Sequence, residues 1–125
     1  MRETRATAIL QKLYPTAHFQ TVGGCQSGGV LDLNACDKGI EIWIELKQVD
    51  KPKTKRGMIK PKVERGQPAW EALRRQAGGR TYVALLVGFE FYLLPGWSLL
   101  ELKQGISQER LEELKLNEKS AFSKR

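Results

Sequence analysis

Soft metal ligands are scarce in this 125-residue chain: one histidine, His18, and two cysteines, Cys25 and Cys36. Without a CxxC pair they argue against a zinc site, and two cysteines make no disulfide framework. No apolar run approaches the length of a membrane span. The opening MRETRATAILQKLY has no continuous apolar core of the kind a signal peptide needs; its pattern is that of an amphipathic helix within the fold. Internal repeats are absent. These absences fit a reducing cytoplasm, bacterial or that of a host if the chain is viral, and a single domain over 1–125 with a modest core.

Positive charge is what the chain has in excess. It carries 21 Lys and Arg against 14 Asp and Glu, a net +7 with a pI near 9.6. Such a balance favours a polyanion, with nucleic acid first and an anionic membrane surface second. Most of the excess lies in the loop 50–66, at Lys51, Lys53, Lys55, Arg56, Lys60, Lys62 and Arg65, with Glu64 as the only acid within KPKTKRGMIKPKVER. Pro52, Gly57 and Pro61 break regular structure there. A charge run is ordinarily a solvated face, so its place in the chain matters more than its count.

That place is directly after the segment 40–49, IEIWIELKQV. Strict alternation makes it a strand, with Ile40, Ile42, Ile44 and Leu46 toward a core and Glu41, Trp43, Glu45 and Lys47 on the opposite face. Upstream, Asp32 follows a Gly-rich loop over 23–29. Two carboxylates, Asp32 and Glu45, can hold a hard divalent cation through oxygen. Lys47 beside them can orient water or offset charge at a phosphate.

The remaining elements follow from periodicity and punctuation. Ala6, Ile9, Leu10 and Leu13 predict a helix over 3–14, stopped by Pro15. Short strands are expected at 18–22 and 30–35, the second with Leu31 and Leu33 on one face and Asp32 and Asn34 on the other. Asp37-Lys38-Gly39 is a hairpin turn. A second helix over 67–77 has Pro68 in its first turn, Trp70, Leu73 and Ala77 on one face, and Gly78-Gly79 at its end. Strands follow at 81–87 and 89–94. Ser107 caps a short helix over 108–116, and the polar tail 117–125 is expected to be less ordered. Helix, three strands, basic loop, helix and two strands make an α/β domain, a mixed sheet flanked by helices.

This order, with Asp32 after a GGV-type loop, Glu45-Leu46-Lys47 on the next strand and Gln67 on the following helix, resembles the PD-(D/E)XK nuclease superfamily. Within it the resemblance is to the virus-type replication-repair nuclease branch (VRR-NUC) and the archaeal-type Holliday junction resolvases, over residues 3–94. It implies a restriction-endonuclease-like fold and a metal-dependent endonuclease acting on branched or structured DNA, at junctions or flaps. It further implies Mg²⁺ or Mn²⁺ on Asp32, Glu45 and the Leu46 carbonyl, with Lys47 positioning the attacking water. Gln67 falls at the family's helix glutamine and Glu3 at its N-terminal helix acid. Leu31 stands where the superfamily's proline would be, and the basic insert is longer than the pattern expects. The seven basic residues would grip phosphates without reading bases, and a twofold junction suits a homodimer.

Plainer readings stand beside these. Glu45 and Lys47 also suit a half-exposed strand, Asp32 a turn, Glu3 the positive end of the first helix and Gln67 a helix start. Trp43 either stacks on a base or packs under the first helix or in a subunit contact. The alternatives in function are a non-catalytic nucleic-acid-binding module that keeps the nuclease fold, and a structural subunit whose loop docks a protein.

Overall fold

The computed structural model describes residues 5–22 and 28–124. Five strands form one sheet in the order of the chain. They are β1 (His18–Thr21), β2 (Leu33–Asp37), β3 (Ile40–Val49), β4 (Arg80–Val87) and β5 (Glu90–Pro95). All neighbours are antiparallel except β3 and β4, which run parallel. The β2–β3 hairpin turns on Lys38 and Gly39, both at positive φ (53° and 81°), the geometry that matches strand twist. Joining β3 to β4 in parallel needs a crossover. The basic loop and the helix α2 (Gln67–Gln76) supply it.

The alternation of β3 divides the core as its sequence predicts. Ile42 and Ile44 face one layer, with Leu10 of α1 (Arg5–Leu13), Ala84 and Leu93. The other layer gathers Leu31, Val83, Leu85 and Leu94 with α3 (Leu99–Gln104) and α4 (Gln108–Leu114), against which Trp43 and Trp70 pack. Leu31 and Leu33 therefore part company. β2 begins only at Leu33, so the expected shared face does not form and Asp32 sits just ahead of the strand.

Three further expectations are corrected. A 3-10 turn, Gly96–Ser98, leads straight into α3, a helix not among those expected between the last strand and the helix over 108–116. The tail is anchored: Asn117 caps a 3-10 turn over Glu118–Phe122, and Ala121 is fully buried. The Ala121 carbonyl accepts from Arg80 Nη1 at 3.0 Å, and the Tyr14 hydroxyl donates to the Glu118 carbonyl. Finally, Leu73 is 70 % exposed, and the residues α2 buries are Gln67 and Glu71. That polar face is tolerated because it is hydrogen-bonded. Glu71 accepts from Thr81 Oγ1 at 2.6 Å and Arg75 Nε at 2.7 Å.

The basic loop is exposed yet tethered. All seven of its Lys and Arg residues are exposed, while Ile59 is buried and exchanges backbone bonds with Ile106. The Gln108 side chain donates to the carbonyls of Thr54, Lys55 and Gly57.

Candidate active site

Asp32, Glu45, Lys47 and Gln67 meet at the C-terminal half of β3, beneath the start of α2. The hairpin brings the two acids together from 13 residues apart. The Leu46 N–H donates to Asp32 Oδ2 at 2.9 Å, and the Asp32 N–H donates to Glu45 Oε1 at 3.2 Å. In a strand the N–H and C=O of one residue point to the same edge. The Leu46 carbonyl therefore faces the Asp32 side. Among the described residues, Asp32 Oδ1 accepts no hydrogen bond.

Gln67 braces the cluster from the first turn of α2. Its Nε2 donates to Glu45 Oε2 at 2.6 Å, and its Oε1 accepts from Lys47 Nζ and the Glu64 N–H, each at 3.0 Å. Lys47 Nζ also lies 3.1 Å from Glu45 Oε2 and donates to the Lys62 carbonyl at 2.6 Å. One ammonium thus ties the carboxylate, the helix amide and the basic loop. No sequence signal identifies the Lys62 carbonyl or the Glu64 N–H, because any residue type supplies them.

Glu45 is buried, 2 % exposed. Burial lifts its carboxyl to about 7 and the Asp32 charge pushes the same way, while Lys47 and the Gln67 amide pull it down. A buried carboxylate next to a second one is an environment that a divalent cation relieves. Among the described residues no cluster of three or more His, Cys, Asp or Glu side chains forms. The donor set is two carboxylates and a carbonyl. That suits an oxygen-seeking ion that keeps water or phosphate in its other positions.

Gly29 and Gly66 make the assembly possible. Both have positive φ (100° and 96°), and a Cβ on Gly29 would stand 2.4 Å from the Gly66 carbonyl oxygen and 2.9 Å from the Gln67 nitrogen. The loop carrying Asp32 therefore lies backbone to backbone on the start of α2. Gly29→Ala forces the two apart, with an expected loss on the order of 3 kcal/mol and a fall in Tm of about 10 °C by circular dichroism. Gly28→Ala, with open space around its Cβ, is expected to cost about 1 kcal/mol. Equal melting of the two variants would reject the close approach.

Glu3 lies outside the described residues, as does Cys25. Trp43 packs against Trp70 of α2, ring centroids 5.2 Å apart, and not under the first helix.

No family model matches the chain, and no curated protein does. Among solved structures, Hjc, a Holliday junction resolvase from the archaeal hyperthermophile Archaeoglobus fulgidus, is similar with a TM-score of 0.62 and 17 % identity. The match covers 91 % of this chain and 94 % of that one. The mixed five-stranded sheet flanked by helices is the restriction-endonuclease-like fold.

Proposed function

We propose that this chain is a metal-dependent endodeoxyribonuclease of the PD-(D/E)XK type, hydrolysing phosphodiester bonds in branched DNA such as four-way junctions or flaps. The observation that carries the reading is the hydrogen-bonded set Asp32, Glu45, Lys47 and Gln67 at the foot of an exposed basic loop. The fold likeness to a protein described as a Holliday junction resolvase supports it.

In this reading Asp32, Glu45 and the Leu46 carbonyl hold Mg²⁺ or Mn²⁺. Such an ion polarises the phosphoryl oxygen and lowers the pKa of water. Gln67 and Lys47 fix the Glu45 carboxylate, so its orientation is set before substrate arrives. Lys47 is the cation nearest the developing charge. Glu3 is retained as a candidate from the resemblance alone. The virus-type replication-repair branch and a homodimer on a twofold junction belong to the same proposal.

Labelled single strand, duplex, flap and four-way junction, each with and without Mn²⁺ or Mg²⁺, test it. A branched substrate should be cut only with metal. Failure of folded protein to cut any of them in either ion would overturn the assignment in favour of a non-catalytic binder.

The loop should contribute affinity rather than chemistry. Changing Lys51, Lys53, Lys55 and Arg56 together to Gln is expected to flatten the log–log salt dependence of DNA binding by about 2 to 4. Tm should stay within about 2 °C, since these side chains are exposed. An unchanged salt slope would take the loop out of DNA binding.

A further inference from the structure

A second feature lies on the catalytic face of β3. Two residues before Glu45, about 7 Å along the strand, Trp43 lines an open groove of about 420 Å³ whose other walls include Arg74, Gly39, Gly78 and Gly79. The Arg74 guanidinium lies 4.9 Å from the Trp70 ring centre and 5.3 Å from that of Trp43. Its stem rests on Gly79, where an added Cβ would come within 2.8 Å of the Arg74 Cγ. Among the described residues Arg74 pairs with no carboxylate. The result is an exposed cation held in place by aromatic rings and a glycine, with its charge uncommitted.

The groove and the candidate active site are built on the same two elements, β3 and α2. Gln67, Trp70 and Arg74 follow one another along a single face of α2, at i, i+3 and i+7. Along β3 the sequence of features is groove, carboxylates, then basic loop. A strand gripped by the loop and cut at Asp32 and Glu45 would continue over Trp43.

We propose that this groove binds one unpaired nucleotide of the DNA substrate, its base against the Trp43 indole and its phosphate on Arg74. An aromatic face accepts any base, and a guanidinium matches phosphate geometry. Glu41, the acid lining the groove, can accept from a base amino group. Bases inside a duplex are stacked on both faces and cannot lie on Trp43, so the groove selects unpaired nucleotides next to the cut. The proposal rests on the nuclease reading for its substrate, but its test does not require cleavage.

The test uses the whole chain in EDTA with two probes, a deoxythymidine hexamer and a blunt mixed-sequence duplex, followed by fluorescence anisotropy and tryptophan emission. Arg74→Gln should weaken hexamer binding about tenfold and duplex binding less than about twofold. The hexamer should quench emission of the parent and of Trp97→Phe, and Trp43→Leu should lose that quenching. Equal weakening of both probes would overturn the proposal, as would a parent that fails to bind the hexamer at millimolar concentration. If Trp43→Leu does not fold, the exposed Arg74→Gln decides alone. A failed nuclease assignment shows separately, as a parent that binds the hexamer but cuts nothing in Mn²⁺.

Discussion

Asp32→Asn should lower Mn²⁺-dependent cutting of a four-way junction at least about a thousandfold, with binding of the same junction changed less than about threefold. The asparagine keeps the shape and can still accept the Leu46 N–H through its one oxygen. What it loses is the charge, and with it half of the anionic pair. Glu45→Gln is a harsher change. Both Glu45 oxygens accept hydrogen bonds, from Asp32 N–H and from Gln67 Nε2. A glutamine amide must then set a donor against a donor and leave Lys47 without its counter-charge. Asp32→Asn therefore separates chemistry from architecture. Junction cleavage at the parent rate in that variant would remove Asp32 from the reaction.

The pH dependence of stability should carry the signature of Glu45. Its carboxyl is raised from 4.5 to about 7 in the folded protein, so the folded state holds a proton that the unfolded chain has already released. Stability from this group is full below about pH 4.5, declines as pH rises toward 7 and is level above it. The loss is on the order of 3 kcal/mol. Urea midpoints at pH 5, 6, 7 and 8 should fall with pH in the parent, and the difference between parent and Glu45→Gln should shrink across that window. Saturating Mn²⁺ at pH 8 should restore the parent's lost stability, because a cation replaces the proton between the two acids. Parallel curves for parent and variant would reject the assignment. Cleavage should run in the opposite sense to stability, rising as pH approaches 7 and Glu45 ionises.

Much of the site was legible because its members lie where local pattern is strongest. The period-two alternation of β3 fixed the faces of Glu45 and Lys47, and the short hairpin turn set Asp32 opposite them. Gln67 fell into place through family resemblance rather than spacing. Its brace depends on backbone groups of Lys62 and Glu64, and backbone carries no residue-specific signal. Leu73 misleads for a related reason. Apolar spacing predicts a buried face, but α2 buries Gln67 and Glu71 because both find partners on the sheet. The pairing of Trp43 with Trp70 and Arg74 joins residues 27 and 31 positions apart across a crossover, beyond the reach of any periodicity. Composition misleads at the tail, where Ala121 and Phe122 pack on the core and the Glu118 and Ala121 carbonyls accept from Tyr14 and Arg80.

The anchoring of the basic loop separates two properties that usually travel together. Its path is set by Gln108 gripping main-chain oxygens and by the Ile59–Ile106 exchange, neither of which depends on the lysines. Substitution of those lysines can therefore change the charge the loop presents while the loop keeps its course. Because the Lys62 oxygen is also one of the acceptors of Lys47, that constancy of path is what keeps the Lys47 ammonium in register through such changes.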